Sequence, residues 1–243
     1  MYIIKLDAID STNSYLKDIV SVALPKDYTV VVAEKQVKGR GQMGAKWQAE
    51  SGKNLTASVF KRLTFFNINE QFYISMAVSL AIYKALSVFK IPQLGIKWPN
   101  DILSANTKLC GVLIENVIKN NNLEGSIIGF GLNVNQKFFN NLPQASSMSL
   151  ISGVLYSKDE VLSEVLKQLK YYFDILKSKK YSEIKSEYES LLFRKNKPST
   201  FRTSKNDSFS GIIQGVTENG HLQVWTEDEI IKTFDLKEIK LLY

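Results

Sequence analysis

Apolar and polar positions follow two periods along this chain. Residues 2–6 alternate weakly, as a short strand does. Ser11 stands where a helix N-cap belongs, ahead of TNSYLKDIVS, in which Tyr15, Leu16, Ile19 and Val20 share one side. YTVVVAE (28–34) and NLTASVF (54–60) are β-rich runs and predict buried strands. From Asn69 to Phe89, residues Phe72, Met76, Leu80, Tyr83 and Leu86 fall at helical spacing, in a run apolar enough for a central helix that Pro92 closes. LGIKW, KLCGVLIENVI and GSIIGFGLNVN read as further strands. KNNNLEG makes the last two antiparallel neighbours. Ser157-Lys158-Asp159-Glu160 is a capping box before a helix whose stripe runs Val161, Val165, Leu169, Tyr172, Ile175 and Leu176. Tyr181, Ile184, Tyr188 and Leu191 mark one face of a second helix.

The pattern changes near Arg194. A polar stretch, RKNKPSTFRTSKNDS, leads into short alternating runs with a tight turn at Glu218-Asn219-Gly220. A small β-barrel fits. The chain therefore predicts an α+β protein: a mixed, mainly antiparallel sheet flanked by helices over 1–194, then a small C-terminal barrel over 195–243.

Composition narrows the chemistry. With 243 residues, 44% hydrophobic and 23% charged, the chain is long enough to bury a real core. Its one cysteine, Cys110, excludes an internal disulfide. Together with the lone His221 it leaves no His/Cys zinc site and speaks against a Cys–His nucleophile pair. A metal here would be held by oxygens, as a metal–nucleotide complex is. MYIIKLDAIDSTNS is no signal peptide, and no apolar run reaches membrane-spanning length, so a cytoplasmic protein without a membrane partner is expected. The net charge of +7 permits polyanion binding without showing it. The densest basic patch is Arg194, Lys195, Lys197, Arg202 and Lys205, and an acidic protein partner suits it as well as nucleic acid does.

One glycine run invites a misreading. Gly39-Arg40-Gly41-Gln42-Met43-Gly44 fits G-x-G-x-x-G, but a dinucleotide site needs a helix straight after the glycines. AKWQAESGKNLTASVF has no helical period and reads as a loop entering a strand. The run is better read as a flexible loop carrying its own charge. Arg40 offers a planar fork for carboxylate or phosphate, and Trp47 a plate to cover a ring. Such a loop closes over an anionic ligand and excludes water. A plain glycine turn with a solvated arginine fits this segment equally.

Two further segments concentrate polar residues on strands. Lys97-Trp98-Pro99-Asn100-Asp101 packs a cation, an aromatic, a bend, an amide and a carboxylate together at a strand end, and Asp101 can hold magnesium or orient a cation. Lys108 precedes LCGVLIE, in which Gly111 permits close approach of a ligand or backbone. GFGLNVN (129–135) suggests a pocket wall. Each alone fits a structural role too: Lys108 as a surface lysine, Asn133 as an amide satisfying backbone groups.

Taken together, the segments resemble the biotin protein ligases over roughly residues 9–150. The matches are Ser11-Thr12-Asn13, Gln36, Gly39-Arg40-Gly41, Trp47 with SGKNLTAS, and the complete K-W-P-N-D of 97–101. Lys108 follows seven residues after Asp101, then come Gly111-x-Leu113-x-Glu115 and Gly131-x-Asn133-x-Asn135. The chain departs from the family's G-R-G-R-x-G-[RN]-x-W at Gln42 and Ala45.

The resemblance implies a class II synthetase-like catalytic fold with an SH3-like C-terminal barrel. It implies ATP and biotin as substrates, Mg2+ accompanying ATP, a biotinyl-AMP intermediate, and transfer to a lysine of a biotin carboxyl carrier protein such as that of acetyl-CoA carboxylase. Lys108 and Arg40 would be catalytic. Ser11, Thr12, Asn13, Gln36, Arg40, Gly41, Gln42, Lys108 and Gly111 would bind biotin. Arg40, Trp47, Lys97, Asn100, Asp101, Lys108 and Asn133 would serve ATP. Some family members carry an N-terminal helix-turn-helix; the expectation here is a ligase without DNA-binding duty. A homodimer through strand edges is also expected. The alternatives are a lipoate- or octanoate-type acyl ligase and a non-catalytic biotin binder.

Overall fold

The computed structural model describes residues 1–243, the side chain of Ile68 apart. β1 (Tyr2–Ile9) and β2 (Thr29–Gln36) are parallel and joined through α1 (Thr12–Val22). β3 (Leu55–Arg62) follows the glycine loop. Then come the central α2 (Phe72–Val88), β4 (Leu94–Lys97), β5 (Asp101–Ser104), β6 (Thr107–Lys119) and β7 (Asn122–Leu132). The seven strands form one sheet in the order β1-β2-β3-β7-β6-β5-β4. Every pairing except β1–β2 is antiparallel.

The middle strands β3 and β7 are buried along nearly their whole length because both faces are covered. Val30, Val59 and Ile128 lie side by side in register and join the main core under α2. Their neighbours Val31, Phe60 and Ile127 face the other way and pack with Leu16 of α1. The β6–β7 hairpin turns at Asn120 and Asn121, both at positive φ, in a two-residue loop of the kind that matches strand twist.

α3 (Met148–Ser152), α4 (Lys158–Lys177) and α5 (Tyr181–Ser190) complete the helices, with α2 packed on α4 and α5. Of the expected capping box, the Ser157 hydroxyl accepts the Glu160 N–H at 3.4 Å. The expected barrel region is a five-stranded antiparallel sheet ordered β11-β10-β9-β8-β12. Its strands are β8 (Pro198–Thr203), β9 (Ser208–Val216), β10 (Leu222–Thr226), β11 (Ile231–Phe234) and β12 (Ile239–Leu242). Phe201, Ile213, Val216, Leu222, Val224 and Ile239 belong to the same core as α2 and α4, so the two sheets share one apolar interior.

The basic patch near Arg194 is partly spent on this junction. Arg194 donates to the Pro198 carbonyl and the Ser199 hydroxyl, and Lys195 approaches Glu189 at 3.7 Å. Among the described residues no helix is long and apolar enough to cross a membrane.

Candidate functional site

A cavity of about 320 Å³ opens between the ends of the first sheet and the C-terminal sheet. That size suits a small organic ligand. Ser11, Thr12, Asn13, Gln36, Arg40, Gly41, Gln42, Trp47, Lys97, Asn100, Asp101, Lys108 and Gly111 all line it. Segments up to a hundred positions apart in sequence are thus brought to one place.

Ser11-Thr12-Asn13 forms the buried start of α1. Ser11 occupies the N-cap position, yet its hydroxyl makes no capping hydrogen bond; it lines the cavity instead. Gln36 Oε1 accepts from the Thr12 N–H at 2.8 Å and from its hydroxyl at 3.1 Å. The Ser58 hydroxyl donates its one proton to Asn13 Oδ1 at 2.6 Å and lies 2.7 Å from the Thr12 hydroxyl. Asn13 fits only because residue 129 is glycine: a Cβ there would stand 2.1 Å from its Oδ1.

The glycine loop is not followed by an α-helix; it makes one short 3-10 turn at Gln42–Gly44 and leads to β3, as its lack of helical period required. It folds back on itself as a hairpin. The Trp47 N–H donates to the Gly39 carbonyl at 2.9 Å and the Gly41 N–H to the Ala45 carbonyl at 2.7 Å. A Cβ on Gly39 would lie 2.5 Å from the Trp47 carbonyl oxygen, so this closure requires glycine. Arg40 reaches Glu115 at 2.9 Å.

Lys97–Asp101 is the turn between β4 and β5, and it is held from behind. Tyr188 donates to the Pro99 carbonyl at 2.6 Å, the Trp98 indole to the Gly220 carbonyl at 2.8 Å, and the Asn100 amide to the Val112 carbonyl at 3.2 Å. The Lys97 ammonium sits 4.7 Å from the centre of the Tyr243 ring. Burial pushes Lys97 below the ordinary lysine value; Asp101 opposes the shift and Lys108 adds to it.

Lys108 and Asp101 form an ion pair at 2.7 Å. The β5–β6 register slips between Ile102 and Leu103, so Leu103 faces Lys108 while Ile102 faces Cys110. This bulge lets Leu109 and Cys110 both turn to the core while Lys108 faces the cavity. The Lys108 N–H donates to the Gln144 carbonyl and its carbonyl accepts from Ser146, which fixes its backbone. Burial pushes the Cys110 thiol far up, so it stays protonated and inert.

Asn133 does not stand with the others. It is absent from the cavity lining, its amide donates to the Ser146 carbonyl at 3.0 Å, and it is buried where the strand leaves the sheet. Its Oδ1 is buried and, among the described residues, without a hydrogen-bond partner.

Sequence reasoning missed the far wall: Ile213, Leu222, Ile239, Lys240 and Leu241 come from the C-terminal sheet, and Leu236 from the turn between β11 and β12. Nothing local distinguishes these from ordinary strand residues. Among the described residues, five basic side chains (Arg40, Lys46, Lys97, Lys108 and Lys240) line the cavity against one carboxylate, Asp101. Such a cavity favours a polyanion.

The chain belongs to the Biotin/lipoate A/B protein ligase family, whose model matches residues 6–133. Among individual relatives, it is 28% identical over 237 residues to the bifunctional ligase/repressor BirA of Bacillus spizizenii, covering 96% of this chain and 72% of that protein. It is 29% identical over 171 residues to the biotin–[acetyl-CoA-carboxylase] ligase of Mycobacterium tuberculosis, covering 68% of this chain and 62% of that one. The fold is similar to that of the biotin protein ligase from Aquifex aeolicus solved in complex with biotin and ATP. There the TM-score is 0.81 at 28% identity, over 99% of this chain and 98% of that one.

Proposed function

We propose that this chain is an ATP-dependent biotin protein ligase. The observation that carries the reading is the Lys108–Asp101 pair set within a cavity of five cations and one carboxylate. Joining a carboxylate to a triphosphate brings two anions together, so the site must neutralise charge before and during the reaction.

In the first half-reaction a biotin carboxylate oxygen attacks the α-phosphorus of ATP. The bond from that phosphorus to the bridging oxygen breaks and pyrophosphate leaves. Lys108 supports the charge on the α-phosphate, Arg40 that on the carboxylate. Lys97, Lys46 and Lys240 suit the remaining phosphates. In the second, the amine of a carrier lysine attacks the acyl carbon, the carbon–oxygen bond to AMP breaks, and the amine gives up a proton. Thr12, Asn13 and Gln36 suit the ureido ring with short hydroxyl and amide groups. Trp47 and the folded-back loop would shield the anhydride from water.

Among the described residues Asp101 is the one carboxylate lining the cavity and is already bonded to Lys108, so magnesium suits this site as an ion carried in by the triphosphate, beside Asp101. It would supply further charge neutralisation. The division at residue 194 into a catalytic part and a small β part belongs to this reading, with the second part closing the cavity. β6 outruns β5, which pairs with it only as far as Cys110. That edge supports docking of a carrier protein or a second copy.

Biotin-dependent exchange of labelled pyrophosphate into ATP tests the reading without any carrier. Exchange with biotin and not with lipoate, lost by about a hundredfold or more in Lys108→Ala, is the expected result. Exchange with lipoate instead would assign the chain to the other branch of its family. Exchange with neither acid, while biotin still binds, would make it a binder.

A further inference from the structure

Glu115 lies outside the cavity lining, yet its Oε2 holds two residues that are in it. Arg40 donates to it at 2.9 Å and Asn13 at 2.8 Å. Asn13 is itself rigidly placed: it accepts from Ser58, rests against Gly129, and reaches the Leu113 carbonyl at 3.3 Å. Arg40 sits on the folded-back loop, whose backbone bonds, Trp47 to Gly39 and Gly41 to Ala45, run within the loop. Among the described residues, Arg40–Glu115 is the one side-chain hydrogen bond joining residues 39–47 to the rest of the chain.

We propose that Glu115 is a positioning residue that ties the glycine loop to the fixed start of α1 and so aims the Arg40 guanidinium at the ligand carboxylate. The proposal rests on the functional reading above. A guanidinium has five N–H donors. Glu115 occupies one edge and orients the plane, which leaves other donors for an anion in the cavity. The carboxylate stands outside the lining, so it orients the arginine without placing a negative charge among the cavity walls. The pair is partly solvent-exposed, 42% for Arg40 and 25% for Glu115, so it adds little to global stability. Its effect falls on the order of the loop, and pre-ordering a binding loop lowers the entropic cost of binding.

Glu115→Gln is the informative variant, because the amide oxygen still accepts from Asn13 while the charge on Arg40's partner is gone. Three quantities decide: melting temperature, tryptic cleavage at Lys38, Arg40 and Lys46 without ligand, and the biotin Kd by calorimetry. The expected result is an unchanged melting temperature, several-fold faster cleavage in the loop, and a biotin Kd weaker by about tenfold. In an Arg40→Ala background the same substitution should change neither cleavage nor Kd further. Cleavage and Kd equal to wild type would overturn the proposal. So would an undiminished effect of Glu115→Gln in the Arg40→Ala background, which would place its action on Asn13 or on the fold. A wild-type chain that binds no biotin would sink the functional reading, and the ligand-free cleavage rates would then decide the tie alone.

Discussion

The indole of Trp47 lies across Gly131, where a Cβ would stand 2.2 Å from its Cε2 and 2.5 Å from its Nε1. Gly131 pairs directly with Gly111 in the β6–β7 ladder, and a Cβ on Gly111 would also meet Trp47, at 3.2 Å. Two glycines in register thus leave a bare patch of backbone, and the aromatic plate at the end of the glycine loop rests on it. Gly131→Ala must displace the indole. An ångström of misplacement at a reacting site costs on the order of a hundredfold. The expected outcome is a loss of about that size in kcat/KM for pyrophosphate exchange, with circular dichroism unchanged. An unimpaired Gly131→Ala protein would show that Trp47 does not need this seat.

Lys97 predicts opposite pH trends for stability and for binding. Its ammonium is destabilised by burial, so the unfolded chain holds that proton more tightly than the folded one. The Lys97 contribution to folding stability therefore rises with pH between the depressed folded value and the ordinary 10.5. A polyphosphate needs the charged form, so the same rise in pH removes a phosphate partner. KM for ATP should climb below pH 10.5, earlier than an ordinary lysine would allow. Lys97→Arg keeps its charge at any accessible pH. A parallel climb in KM for wild type and Lys97→Arg would assign the effect to another group.

The turn before β10 makes a stability prediction. Gly220, at φ +90°, sits so close to Phe72 that a Cβ would stand 2.3 Å from the ring, and its carbonyl accepts the Trp98 indole N–H. Trp98→Phe keeps an aromatic ring and deletes that hydrogen bond. It should cost about 1 kcal/mol, read as a lower midpoint in urea. Gly220→Ala should cost more, since both the positive φ and the contact with Phe72 oppose a side chain. Equal midpoints for Trp98→Phe and wild type would mean that solvent replaces the lost donor at no cost.

Much of this was legible in the chain, and what was not has identifiable causes. Wherever one period ran long enough, the elements follow it, from α2 to the β6–β7 hairpin. β5 escaped notice because its four residues, Asp101–Ser104, offer too few positions for alternation to appear between two turns. α3 has five residues and depends on the Ser147 hydroxyl accepting from Leu150, which gives no apolar stripe. The motif residues around the cavity carried unusual chemistry on strands and could be picked out for that. The wall from Ile213 to Leu241 could not, because it faces the site only through the packing of a distant sheet. Asn133 lies outside the cavity lining with its amide on the Ser146 carbonyl, because a polar residue on an apolar strand serves a backbone carbonyl as readily as a ligand. Glu115 was visible as part of a motif, but its partners lie 75 and 102 positions away.

Gln42 and Ala45, the two departures from the family's loop pattern, both line the cavity. Gln42 begins the short turn at the loop's tip, and its amide donates hydrogen bonds without adding charge. Losing one charge-assisted contact to phosphate costs roughly 1.5–3 kcal/mol. At 1.4 kcal/mol per factor of ten, the adenylate should leave roughly ten- to a hundredfold faster than from a loop with arginine at this position. Gln42→Arg should reverse that, since the loop hairpin depends on backbone bonds of Gly39 and Gly41 rather than on the side chain at 42. Rapid dilution of enzyme loaded with biotinyl-AMP, followed by assay of what stays bound, gives the off-rate. Slower release from Gln42→Arg, with the rate of adenylate formation little changed, is expected. Identical off-rates would show that Arg40 and Lys108 already hold the phosphate and that the missing charge at position 42 is immaterial to retention.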